Sequence, residues 1–153
     1  MKITDFLTVE LIDPQLTGAD KPTVLKELSG WLTKQHPEIP SEDLTAVLAE
    51  RERLGSTAIG DGIAIPHGKL ANVTKILGIF GRHPAGVDFE SLDGNPTHLF
   101  FMLVAPEDST SLHLKALARV SRLLRDGNFR DKLLTAPDSN EIFRLIRDED
   151  NKF

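Results

Sequence analysis

The chain has 153 residues, the size of one domain, and nothing in it marks a boundary between two. Eighteen Lys and Arg stand against 23 Asp and Glu, a net charge of −5 with no long basic run, so the balance is wrong for gripping a phosphate backbone and nucleic acid is not an expected partner. Cysteine is absent, which excludes disulfides, thiolate chemistry and cysteine-ligated metal. Met1-Lys2-Ile3-Thr4-Asp5 meets an acid before any long apolar run, which argues against a signal peptide, and no stretch approaches the ~20 apolar residues of a membrane span. A single cytoplasmic domain over 1–153, without membrane insertion and fraying from about residue 148, is the expectation.

In chain order, Val24, Leu25, Leu28, Trp31 and Leu32 share one helical face, so a helix is predicted over Thr23–Gln35, with Pro22 near its start and Asp20 as cap. The prolines of Gln35-His36-Pro37-Glu38-Ile39-Pro40 break it. A second helix is predicted from Ser41 as cap to about Arg53, with Leu44, Val47, Leu48 and Arg51 on one face and Gly55 ending it. Gly55-Ser56-Thr57-Ala58-Ile59-Gly60-Asp61-Gly62 reads as a turn-forming loop. Ile63-Ala64-Ile65 reads as a short strand stopped by Pro66, and Val73–Gly81 and Thr97–Ala105 as two more. Leu99-Phe100-Phe101-Met102-Leu103-Val104 is apolar throughout, the pattern of a strand covered on both faces. A long helix should run from Ser109 or Ser111 to Asp126, and a final one should open on Asp138 and Glu141 at capping-box spacing. Helices alternating with strands, one of them doubly buried, predict an α/β fold with a mixed β-sheet flanked by helices on both faces.

The segment from Arg51 to Lys69 is the richest in chemistry. His67 lies between strand-breaking Pro66 and Gly68, so it is expected in a loop beyond a buried strand, either as a neutral imidazole nucleophile or as a plain surface histidine. A P-loop is ruled out: five residues separate Gly62 from Gly68, where four are needed, and Leu70 takes the hydroxyl position. A metal site is not indicated, because His67, His83, His98 and His113 are fifteen or more residues apart with no His-Glu-x-x-His pair. Arg51 continues an apolar stripe near a helix C-terminus. It either complements the helix dipole with its stem along the core edge, or reaches into the glycine loop to grip phosphoryl oxygens with its fork. His113 falls near a helix start, either as a satisfied core-edge histidine or as a donor beside free backbone N–H groups that favour an anion. His36, His83 and His98 show no pattern, and Lys69 and Arg82 read as solvated.

The stretch Arg51-Glu52-Arg53-Leu54-Gly55-Ser56-Thr57-Ala58-Ile59-Gly60-Asp61-Gly62-Ile63-Ala64-Ile65-Pro66-His67-Gly68-Lys69 resembles the active-site stretch of the enzyme IIA domains of the mannitol/fructose phosphotransferase class. Ser111-Leu112-His113-Leu114-Lys115-Ala116-Leu117 resembles that family's second histidine motif. The resemblance runs over essentially the whole chain, with Ala58 at a position where the family commonly has glycine. It is closest to the nitrogen-regulatory IIA branch, also by the Gly68-Lys69-Leu70 ending.

The resemblance implies a mixed sheet flanked by helices, and His67 as acceptor of a phosphoryl group from a phosphohistidine on a small HPr-like carrier of that branch. It implies that Arg51 and His113 steady the group, with phosphoryl-binding positions at Ser56, Thr57 and Gly68, and that no cofactor, metal or nucleotide takes part. Downstream partners would be regulatory protein targets or a IIB domain. Three functions follow: a regulatory phosphocarrier, a sugar-uptake IIA component feeding a IIB domain, and a binding module that has lost phosphorylation. The intact His67, Arg51 and His113 set speaks against the third. Ile59 and Leu70 are the apolar neighbours expected to line a docking patch, which a dianionic phosphoryl group would turn into an electrostatic switch.

Overall fold

The computed structural model covers residues 1–153. Strand β6 (Thr97–Pro106) is its axis, buried at every residue but His98. Its apolar run has no polar face because neither face meets water. Strand β5 (Leu77–Val87) pairs antiparallel along one edge, with Phe80 opposite Phe101, and β1 (Ile12–Asp13) adds parallel to β5. Two parallel strands share the other edge end to end: β3 (Ile63–Ala64) opposite Leu99 and Phe100, and β4 (His67–Leu70) opposite Leu103 to Pro106. Strand β2 (Ala58–Gly60) pairs antiparallel with β3, which completes a mixed six-stranded sheet.

Five helices follow from the sequence: α1 (Lys21–Gln35), α2 (Ser41–Arg53), α3 (Thr110–Leu123), α4 (Gly127–Thr135) and α5 (Ser139–Asp150). Alternation along the strands shows which face each covers. A Cβ at Gly81 would meet Leu28 of α1, and one at Gly68 would meet Val47 of α2. On the opposite parity, a Cβ at Gly78 would meet Phe6, Arg82 reaches the carbonyls ending α4, and the His67 ring lies against His113 of α3. Helices α1 and α2 therefore cover one face, and α3, α4 and the N-terminal turns the other. This is the expected α/β domain. No helix is long and apolar enough to cross a membrane.

Several local expectations are corrected. Asp20 caps α1 through Thr23 as read, but Pro40, not Ser41, sits at the cap of α2. The segment taken as all turn contains β2, and its turn is confined to Asp61 and Gly62, both at positive φ, 57° and 75°, as a two-residue hairpin loop requires. Strand β5 starts later than predicted and runs on to Val87; it absorbs Pro84, exposed, where the register slips between Arg82 and Val87. The helix predicted to reach Asp126 ends at Leu123, because Asp126 caps a new helix, accepting from the Asn128 N–H. At α5 only half of the expected capping box forms: Asp138 accepts from the Glu141 N–H, while the Glu141 carboxylate pairs with Arg144. Arg82 is buried rather than solvated, donating to the carbonyls of Leu133 at 2.9 Å and Ala136 at 2.6 Å.

Helix α5 runs through to Asp150, past the residue 148 from which fraying is expected. Asp150 is 1% exposed; it accepts from the Ile3 N–H at 2.8 Å and from Arg119 Nε at 2.6 Å, pinning the end of α5 to the N-terminus. Asp150→Ala leaves the Arg119 cation and a buried N–H unpaired and should cost about 3 kcal/mol in urea unfolding. A cost under ~0.5 kcal/mol, the ordinary surface value, would mean that the tail is loose after all.

Candidate functional site

Pro66 has no N–H to give a sheet, yet its carbonyl accepts from the Leu103 N–H at 2.9 Å, so the chain stays against β6 and pairing resumes at once. His67 is thus the first residue of β4, not a loop residue as expected. Strand alternation turns His67 and Lys69 toward α3 and Gly68 toward α2.

The His67 ring is half-buried and held at both nitrogens. Nδ1 lies 2.8 Å from the Ile65 carbonyl, which can only accept, so this bond assigns the proton to Nδ1. Nε2 is then a bare lone pair, and Arg51 Nε donates to it at 3.3 Å. Burial lowers the His67 pKa below the ordinary histidine value; the Ile65 hydrogen bond opposes this, the Arg51 charge adds to it, and the Glu52 charge opposes it. In this tautomer the neutral ring presents its lone pair at Nε2.

Arg51 comes from the last turn of α2 and also donates through Nη1 to the Gly55 carbonyl at 2.9 Å. It reaches His67 because Val47, one turn earlier, packs onto Gly68, where a Cβ would stand 2.4 Å from the Val47 side chain. A side chain at 68 would meet the Val47 methyl first, so this contact between α2 and the strand would have to shift. Gly68 serves this packing, on the face turned away from the His67 ring.

His113 is 5% exposed in the first turn of α3, its ring edge-on to that of His67 with centroids 5.3 Å apart. Neither of its nitrogens has a hydrogen-bond partner. Burial, with the nearby His67 and Lys69, pushes its pKa down to about 4, so it too is neutral near pH 7. Lys69 is not simply solvated: its Nζ donates to Thr110 Oγ1 at 2.8 Å, tying β4 to the start of α3.

His67, Arg51 and His113 are therefore brought together. Ser56 and Thr57 are placed otherwise than expected. The Ser56 hydroxyl donates to the Phe89 carbonyl at 2.8 Å and accepts from the Ala58 N–H at 3.1 Å. Thr57 is buried and turns both its N–H and its hydroxyl onto the Glu52 carboxylate. These polar atoms hold the loop and are not free for a phosphoryl group. Of the two expected docking residues, Ile59 is exposed and Leu70 is buried. His83 and His98 lie outside the site, bonded to the carbonyls of Gly18 and His83.

Sequence reasoning missed Glu52, buried on α2 between Lys21 Nζ, at 2.9 Å, and Thr57. The signal was present: Glu52 follows Leu44 and Leu48 at i+4 and i+8, and a carboxylate on an apolar stripe needs a buried partner.

Residues 5–149 match the family model for the phosphoenolpyruvate-dependent sugar phosphotransferase system, EIIA 2. A nitrogen regulatory protein of Bradyrhizobium diazoefficiens is 45% identical over 149 residues, which cover 95% of each chain. The PTS system fructose-specific EIIABC component of Bacillus subtilis is 40% identical over 150 residues, 98% of this chain and 24% of that protein. The crystal structure of nitrogen regulatory protein IIA-Ntr from Neisseria meningitidis superposes with a TM-score of 0.88 at 30% identity, over 94% of this chain and 98% of that one.

The depressed pKa of His113 has a thermodynamic consequence. Between an unfolded value of 6.5 and a folded value of about 4, the unfolded chain binds a proton that the folded one refuses. Stability must then fall as pH drops through that window. His113→Phe should remove roughly 1–3 kcal/mol of this acid sensitivity, read as urea unfolding free energies at pH 7, 5.5 and 4. Equal pH slopes in the variant and the parent protein would contradict the burial of a neutral imidazole.

Proposed function

The chain belongs to the phosphoenolpyruvate-dependent sugar phosphotransferase system EIIA 2 family, and on that premise we propose that it is a cytoplasmic phosphoryl carrier whose His67 Nε2 accepts a phosphoryl group from a phosphohistidine on a small HPr-like protein. The observation that carries this reading is the bond from His67 Nδ1 to the Ile65 carbonyl, which leaves Nε2 as a lone pair facing a guanidinium.

In the transfer, a P–Nε2 bond forms while the P–N bond on the donor carrier breaks, and that bond's electron pair returns to the donor imidazole. No proton has to cross. The positive character gained by the His67 ring is stabilised by the Ile65 carbonyl on Nδ1–H. Phosphoryl transfer of this kind asks the protein for alignment and charge neutralisation. Arg51 answers the second need by turning its fork from Nε2 to the phosphoryl oxygens, where two parallel hydrogen bonds fit. His113, neutral and without a partner, offers a ring N–H to the third oxygen. Leu54 and Ile59 are exposed apolar residues beside this machinery in sequence, and they suit a transient docking face.

Within the family we favour the regulatory role, in which the two phosphorylation states bind protein targets differently. The Bradyrhizobium nitrogen regulatory protein, aligned along nearly its full length, supports it. Delivery of the phosphoryl group to a IIB domain for sugar uptake is the second reading, supported by the likeness to the fructose-specific component.

Incubation with phosphoenolpyruvate, enzyme I and an HPr-like carrier should add one phosphoryl mass, labile to acid and stable to base. His67→Ala should abolish the adduct, and undiminished labelling of that variant would overturn the assignment. Arg51→Ala should slow transfer by ~10²–10³, and Arg51→Lys should restore little, because a point charge lacks the fork. Pull-downs with the phosphorylated protein and with His67→Ala then separate the roles. State-dependent capture of a target supports regulation, and transfer to a IIB domain with identical captures supports sugar uptake.

A further inference from the structure

Glu52 is the one buried carboxylate near the site that the transfer does not use. Its Oε1 accepts from Lys21 Nζ at 2.9 Å and from the Thr57 N–H at 3.1 Å, and its Oε2 accepts from the Thr57 hydroxyl. Lys21 is held in turn over the Phe89 ring and against Glu90. Thr57 is thereby gripped at backbone and side chain by one carboxylate anchored to a cation.

Two paths lead from this grip to the reacting atoms. The Thr57 carbonyl accepts from the Ile65 N–H at 3.1 Å, and the Ile65 carbonyl accepts from His67 Nδ1–H at 2.8 Å. Two residues before Thr57, the Gly55 carbonyl accepts from Arg51 Nη1 at 2.9 Å. The first path sets the tautomer of His67 and the second sets the position of the guanidinium.

We propose that Glu52 and Thr57 are positioning residues for phosphoryl transfer: their clamp fixes His67 as the Nδ1–H tautomer, with Nε2 free to attack, and aligns Arg51 beside it. The proposal rests on His67 as the phosphoryl acceptor, and it explains why these positions hold a carboxylate and a hydroxyl. Every group facing Glu52 here is a donor, so both of its oxygens must accept. A glutamine would set its NH₂ against one of those donors. A valine at 57 keeps the shape of threonine and withdraws the hydroxyl, leaving Oε2 without its hydrogen bond. In either case the Ile65 carbonyl loses its fixed direction, and the His67 proton is no longer held on Nδ1. An Nε2–H ring has no lone pair where the phosphoryl group arrives.

Long-range ¹H–¹⁵N imidazole spectra of the whole protein near pH 8, with no phosphoryl donor present, read the tautomer directly. The parent protein and Thr57→Ser should show His67 as Nδ1–H, and Thr57→Val and Glu52→Gln should show a mixture or the Nε2–H form. With phosphorylated HPr-like carrier, Thr57→Val should lower the limiting transfer rate ~10–100-fold with an unchanged half-saturating carrier concentration, and Thr57→Ser should restore it. A role confined to stability would shift the unfolding midpoint and leave the tautomer unchanged. Should Glu52→Gln fail to fold, Thr57→Val decides alone. His67 held as Nδ1–H in the folded variants overturns the proposal, whatever the transfer assay gives. A parent protein that is never phosphorylated overturns the function proposed above, and the tautomer result is read independently of it.

Discussion

Between Ala64 and His67 the backbone steps out of the parallel ladder along β6 while keeping one bond to it, from the Leu103 N–H to the Pro66 carbonyl. At this interruption the Ile65 carbonyl, on the edge turned away from β6, is taken by the His67 ring. The interruption also closes the Ile65 N–H onto Thr57, so the β2–β3 hairpin and the start of β4 are tied across the gap. Proline is what makes the step: it removes the N–H that regular pairing would have used and keeps the acceptor that holds the chain in place. The sheet supplies rigidity on both sides, and the gap supplies the one side chain that must present a lone pair at a fixed point.

The electrostatics of the site follow from burial. Burial disfavours the charged form of both imidazoles, while Arg51 at one and Lys69 near the other bring positive charge and the nearby Glu52 carboxylate is paired with Lys21. Leaving both His113 nitrogens unpaired carries a desolvation cost that an incoming phosphoryl oxygen would relieve. Arg51 has two positions in this scheme. In the structure its Nε–H donates to His67 Nε2, and under the proposed function the same fork would turn to the phosphoryl oxygens. That turn would couple the state of the site to the end of α2 and to the Gly55 carbonyl, which Arg51 Nη1 also holds.

Residue pattern alone exposed His67, Arg51 and His113 as candidates, because each sits at an odd place: a histidine after a strand-stopping proline, an arginine on an apolar stripe, a histidine at a helix start. The faces of α1 and α2 and the doubly buried β6 were equally open to reading. What stayed hidden depends on partners distant in sequence. Ser56 looks like a phosphoryl ligand until the Phe89 carbonyl, 33 residues away, is seen to take its hydroxyl. His67-Gly68-Lys69-Leu70 has no strand propensity of its own and becomes β4 only because β6 offers an open edge. Gly127 and Asn128 look like a helix stop and are a helix start, since the Asp126 side chain turns back to cap them.

The open edge also decides where such a site can lie. Strand β4 pairs only with β6, and the β2–β3 hairpin that continues the sheet stops at Ala64. Helices α2 and α3 lie on opposite faces, so one ring can meet side chains from both only where no further strand stands between them. At β4 the arginine from α2 passes around the free edge to a ring that leans toward α3. A further strand alongside β4 would block both that passage and the approach of a protein donor. The exposed edge is kept safe by its brevity, four residues, and by the Lys69 it carries, features that discourage pairing with a stray strand. Gly68 lies under Val47 and Lys69 reaches Thr110, so the two residues directly after the histidine fasten one helix each. Reactivity at His67 is thus inseparable from the way β4 joins the two layers of the fold.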